Sequence, residues 1–149
     1  MNAQLSLSRI EPRLSADPVS EPDYLVTTFD GKNIGQSMRY SDADIAEYGI
    51  DRVRKWVAED QARYEAWRRD EWNFTDLRLV AVIEVSAGGQ QIGTLQIDGP
   101  SLGGIESDAG SEYMLSVVGE LVEEFRPELI ELGFGDANHV VPAEIVEGQ

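Results

Sequence analysis

Cysteine is absent from all 149 residues, so the chain can build no disulfide, no thiolate metal site and no thiol nucleophile. Histidine occurs once, at His139, in a segment with few apolar anchors. A Ser-His-Asp arrangement would have to recruit that residue, and no catalytic residue is assigned. No apolar run approaches the roughly 18 residues of a membrane span, and the N-terminal stretch lacks a basic region followed by a continuous apolar one. A cytoplasmic location is the expectation. Bases are scarce as well: 12 Lys and Arg stand against 28 Asp and Glu, for a net charge of −16.

The imbalance is uneven along the chain. Residues 1–78 hold 15 acids and 11 bases, whereas residues 79–149 hold 13 acids and Arg126 alone. Such a field repels phosphate and anionic lipid and draws in basic surfaces. Direct nucleic-acid binding and membrane association are therefore not expected, and a basic host protein or nucleoprotein complex is the expected partner.

Residues 1–22 carry Asp17-Pro18 and Glu21-Pro22 and show no sustained period, which reads as a mobile N-terminal arm. A single α+β domain is expected over 23–134 and an acidic tail over 135–149. Its first hairpin runs from Tyr24 to about residue 38, with Asp30-Gly31 at the turn. Ser41 with Asp44 three residues later marks a helix start, and Gly49 its left-handed exit. Asp51 then caps a helix over 52–71, with Val53, Trp56, Val57, Tyr64 and Trp67 on one stripe. Asp60 falls inside that stripe, so the reading pairs it with a base such as Arg63 or Arg78, or gives it a perturbed carboxylate. Trp56 and Trp67 are candidate interface aromatics, although aromatic residues at helical spacing are more often core.

Leu77 to Ile97 reads as a second hairpin around Gly88-Gly89, with Val85 opposite Ile92, Val82 opposite Leu95 and Val80 opposite Ile97. Asp98-Gly99-Pro100 ends its second strand, and a glycine-rich loop fills 101–107. Ser107 or Asp108 caps the next helix. That helix buries Met114, Val117, Val118, Leu121, Val122 and Phe125 and turns its glutamates outward. Arg126-Pro127 ends or kinks it, and since proline is tolerated in a first turn, Pro127 to Leu132 can begin a second segment before Gly133. The fold class expected is α+β, a small antiparallel sheet of two hairpins packed with two main amphipathic helices.

Nothing in the chain matches a phosphate loop or an EF-hand. Asp98, Glu106 and Asp108 are oxygen donors, but their spacing is that of a strand end and a helix cap, so no metal and no cofactor are assigned. Asp60, Glu84, Asp98 and Glu106 supply carboxylates without implying the geometry acid/base work requires. No enzymatic activity is expected.

The order Asp23-Tyr24-Leu25, then ARYEAWRRDEWNF over 62–74, then Gly103-Gly104-Ile105-Glu106-Ser107-Asp108 and the pair Glu112-Tyr113 resembles a group of small acidic accessory proteins encoded by phages and plasmids. The resemblance covers about residues 23–130. Those proteins commonly read W-G-I-E-S-D-S where this chain has Gly103 to Ala109 without the aromatic. The resemblance implies a mobile-element origin and carries no activity with it. Combined with the charge, it leads to an inhibitor of a host defence or other nucleic-acid-binding protein, of anti-CRISPR or anti-restriction type. Its expected contact residues are Glu106, Asp108, Glu112, Glu120, Glu123, Glu124 and Glu131. The alternative is a homodimeric structural or regulatory module, closed through the apolar sheet face or the Trp56-Trp67 stripe, with the acidity incidental.

Overall fold

Two glycines set the turn from which the sheet is built. Gly88 and Gly89 have φ of +60° and +82°, the type I′ combination that suits the twist of paired strands. They join β2 (Phe74–Ala87) to β3 (Gln90–Glu106), with Ala87 opposite Gln90. This computed structural model describes residues 2–22, 25 and 40–147. The chain divides into two compact units, residues 1–18 with 74–149, and residues 19–73.

The first unit is a four-stranded sheet in the order β3-β2-β1-β4, where β1 is Ala3–Ala16 and β4 is Val146–Glu147. β1 runs antiparallel to β2 and parallel to β4, so the sheet is mixed and the fold is α+β. The expectation of a purely antiparallel sheet is corrected here, and the hairpin expected over 24–38 lies outside the described residues. The segment read as a mobile arm is instead a strand inside the sheet. Its period is hidden by a bulge between Leu7 and Arg9. One extra residue flips the alternation, so Leu5 and Leu7 share a face with Ile10 although their positions differ in parity. Pro12 is tolerated because Ile10, two residues earlier, accepts from Ala143 on the side away from β2. The donor that Pro12 lacks would point the same way, so the β1–β2 ladder loses nothing.

β3 has 17 residues and β2 has 14, and the difference is taken up by three bulges on β3. The first adds a residue near Ile92, so Val85 opposes Gly93, Ile83 opposes Leu95 and Ala81 opposes Ile97. The pairing expected from the turn alone is therefore displaced by one, which returns Ile97 to the core side. The other two fall at Gly99-Pro100 and Gly103-Gly104, between paired residues on either side. The stretch expected as a glycine-rich loop is thus strand, with glycine serving the bulges; Gly104 has φ +69°.

One face of the sheet carries α3 (Ser111–Glu131). Met114, Val117, Val118, Leu121, Val122, Phe125 and Leu129 are buried in one cluster with Leu7, Ile10, Leu77, Leu79, Ala81 and Ile83. A β-carbon on Gly99 would stand 2.7–2.8 Å from the Phe125 ring, so the backbone there meets the aromatic directly. The helix is capped by Gly110 without a side-chain bond, not by Ser107 or Asp108. It also runs through Pro127, expected as its end or a kink. A proline there costs about 3 kcal/mol, and the burial of both Phe125 and Leu129 on either side offsets it.

Past α3, Ala137–His139 forms a short 3-10 turn with Ala137 fully buried. Ala143 donates to the Ile10 carbonyl (2.9 Å), and Val146 lies opposite Arg13. The expected loose tail is thereby part of the sheet unit, anchored through backbone bonds that an apolar count cannot reveal.

The second unit contains α1 (Asp42–Tyr48) and α2 (Ile50–Arg68). Ser41 and Asp44 form the reciprocal cap, with Oγ of Ser41 accepting from the Asp44 amide and Oδ2 of Asp44 accepting from the Ser41 amide. Gly49, at φ +88°, ends α1 and is also the N-cap of α2, so Asp51 lies in the first turn and not at the cap. Val53 and Val57 are fully buried, with Tyr40, Ile45 and Trp56 packed around them. Among the described residues no helix is long and apolar enough to cross a membrane.

Candidate functional site

α3 separates apolar from acidic side chains around its axis. Glu112, Glu120, Glu123, Glu124, Glu128 and Glu131 are all exposed, while every buried position of the helix is apolar. At a rise of about 1.5 Å per residue the ridge from Glu112 to Glu131 is about 28 Å long. Glu120, Glu124, Glu128 and Glu131 follow one another at spacings of four, four and three residues. Neighbours at those spacings face each other, and each like-charged pair costs a few tenths of a kcal/mol, about 0.2–0.5. The last turn of α3 holds no base, so Glu128 and Glu131 also meet the negative end of the helix dipole.

Glu128 is the residue sequence reasoning missed. Reading Pro127 as a terminus removed it from the helix, although its spacing from Glu124 places it on the same ridge. The one base on α3, Arg126, is half-buried: its Nη1 donates to Glu123 Oε1 (3.1 Å) and its Nη2 to the Val140 carbonyl (3.2 Å). Glu123 is therefore partly neutralised, whereas Glu112 and the outer ridge of Glu120, Glu124, Glu128 and Glu131 have no ion pair among the described residues. Glu106 lies elsewhere, at the end of β3 opposite Phe74 and half-buried, and Asp108 is in the exposed turn before α3. The expected set is thus two groups, a helix ridge and a strand-end pair.

Asp17 adds a carboxylate to the β3 end that the sequence did not mark. Its Oδ2 accepts from the Gly104 amide (2.8 Å), while its own amide donates to the Phe74 carbonyl (3.0 Å). These bonds close the sheet at the Gly103-Gly104 bulge. Among the described residues no group of three or more histidines and carboxylates is arranged to hold a metal ion.

On the sheet itself, Glu11 is buried between two arginines, accepting from Arg9 Nε (2.7 Å) and Arg13 Nε (3.2 Å). The Arg9 hydrogen bond is the largest influence on its carboxyl and, with Arg13, holds it below its ordinary pKa of 4.5 against the opposing effect of burial.

The interface aromatics proposed from sequence are engaged within the second unit. Trp56 meets Tyr48 edge-on at 5.1 Å and Tyr40 at 5.8 Å between ring centres, and Trp67 lies 5.8 Å from Tyr64. Asp60 is buried and accepts from the Tyr40 hydroxyl (2.8 Å), a partner from outside the helix that the stripe alone could not name. Arg63 stacks over Trp72 at 3.9 Å. Arg54, Arg68 and Arg69 lie beside Asp51, Glu65 and Glu71 of the same unit.

Comparison with protein-family models, with curated proteins and with solved structures found no match for this chain.

Proposed function

We propose that the protein is a non-enzymatic inhibitor from a phage or other mobile element that binds a basic host protein, such as a defence nuclease, through the acidic face of α3. The observation that carries this reading is the unrelieved outer ridge of Glu120, Glu124, Glu128 and Glu131 on a helix whose opposite side is wholly apolar. Solubility alone does not require like charges at contact spacing on the negative end of a helix, where each one destabilises the fold. An amphipathic α3, oily side to the sheet and acids outward, is the structural premise.

The ridge works by occlusion. Carboxylates on one helical stripe recur about every 5 Å, whereas a DNA strand carries a phosphate about every 3.4 Å of axis. One ridge is too sparse to imitate a duplex, but it can cover a basic groove and hold nucleic acid off it. Pull-down from host lysate with the full chain, at low and high salt, tests the reading. Recovery of a basic nucleic-acid-binding protein is expected at low salt, falling steeply as salt rises, and falling further when Glu120, Glu123 and Glu124 are replaced by glutamine. Capture indifferent to both changes would end the electrostatic reading.

A further inference from the structure

The two edges of the sheet are protected very differently. β3 forms one edge and is guarded by three bulges, by Pro100 and by the charges of Asp98 and Glu106. β1 forms much of the other. Its second half is covered where Ala143 donates to Ile10 and β4 pairs with Arg13 and Leu14. Its first half, Ala3 to Ser8, is AQLSLS: no charge, no proline, no glycine, and among the described residues no strand beside it. An open, regular, uncharged edge is a template for another strand.

The register says which groups are on offer. Ile10 directs its carbonyl outward, and it opposes Ala81. Leu7 opposes Ile83 and Leu5 opposes Val85, each two residues further along β2, so both share the orientation of Ile10. The amides and carbonyls of Leu5 and Leu7 therefore point away from the sheet. An antiparallel copy of the same segment, related by a twofold axis at Ser6, sets Leu5 opposite Leu7 of the second copy and Leu7 opposite its Leu5. Four backbone hydrogen bonds form, and Leu5, 52% exposed on the α3 side of the sheet, gains an apolar neighbour.

This self-complementary register fits a second copy, and an uncharged segment is where two chains of like net charge can meet. We infer that this edge pairs with the same edge of a second copy of the chain, making a continuous sheet six strands across, β3-β2-β1 of one copy beside β1-β2-β3 of the other, with each β4 staying on the second half of its own β1. In a protein of net charge −16, β1 is the one strand of the sheet with more bases than acids, Arg9 and Arg13 against Glu11, and the six residues at the axis carry none. Within the sheet, the nearest acids across the axis are the two copies of Glu84, opposite Ser6 on β2. Three strand spacings separate them, about 14 Å, beyond the roughly 8 Å screening length of physiological salt. The axis stands perpendicular to the sheet, so both α3 helices lie on the same side.

This assembly does not depend on the inhibitor reading and responds to salt in the opposite sense, since screening strengthens it. Light scattering of the full chain from about 10 µM to about 1 mM should show the mass rising toward that of two copies, at lower concentration in high salt. Leu5→Pro removes the outward amide without touching the β1–β2 ladder and should raise the dissociation constant about tenfold or more; Leu5→Thr, which keeps the amide, should lose much less. Amide exchange supplies a readout that needs no variant: the Leu5 and Leu7 amides should become protected as concentration rises. A chain that stays monomeric throughout, a dimer indifferent to Leu5→Pro, or Leu5 and Leu7 amides equally exposed at all concentrations would overturn the inference.

Discussion

Replacing Glu128 by lysine should make the protein more stable while weakening its capture of a basic partner. Glu128 faces Glu124 one turn back and Glu131 one turn on, and sits in the last turn of α3, where no base is present. Each like-charged contact costs about 0.2–0.5 kcal/mol and becomes favourable by a similar amount on reversal, and a cation at a helix C-terminus contributes about 0.3–1 kcal/mol. The sum is a gain of about 1–3 kcal/mol at low salt, a factor of about 5–150 in the local opening equilibrium. All three tryptophans, Trp56, Trp67 and Trp72, belong to residues 19–73, so fluorescence would follow the other unit. Amide exchange along Met114 to Leu129 reports the right one. Exchange should slow at low salt and the gain should shrink at high salt. Unchanged or faster exchange at low salt, or a gain indifferent to salt, would refute the claim that the ridge is held against its own repulsion.

Other consequences concern the sheet. Gly99→Ala should destabilise the protein by about 1–3 kcal/mol, because the new carbon would lie within 2.8 Å of the Phe125 ring, whereas Gly93→Ala, with nothing within 4 Å, should be close to neutral; equal urea midpoints for the two would contradict the close approach. Glu11→Gln should cost about 1–3 kcal/mol at neutral pH by replacing a carboxylate that accepts from two arginines. Because the Glu11 carboxyl is held below its ordinary 4.5, the stability it adds is present above that value and is lost as pH falls through the depressed one. The gap between wild type and Glu11→Gln, measured by denaturant titration, should therefore be constant near neutrality and close on acidification below 4.5; a gap that widened there would reverse the assignment.

What could be read from the residues was what depends on neighbours in sequence. The Ser41–Asp44 cap, the Gly88-Gly89 turn and the apolar stripe from Met114 to Phe125 are local patterns, and each has a direct physical signature. β1 escaped because a bulge after Leu7 reverses the alternation midway and Pro12 looks disruptive until its partner strands are known. β3 was cut short for a related reason: Gly99, Pro100, Gly103 and Gly104 punctuate loops in most chains, and only the pairing with β2 reveals them as bulges. Of the acidic residues, Glu112, Glu120, Glu123, Glu124 and Glu131 were legible as an outward helix face. Glu128 was lost to Pro127, and the half-buried position of Glu106 could not follow from a stretch taken for a loop.

The long wait between β1 and its partner also sets a kinetic condition on the molecule. Ala16 pairs with Thr75 and Ala3 with Ala87, so β1 leaves the ribosome roughly 60 to 85 positions ahead of its neighbour. Val146, the last strand's contribution, arrives later still. The core cluster draws on Leu7 and Ala137 alike, so it closes only once Ala137 has been synthesised. Until β2 has emerged AQLSLS has neither flank paired, and even afterwards its outer side has no strand beside it among the described residues.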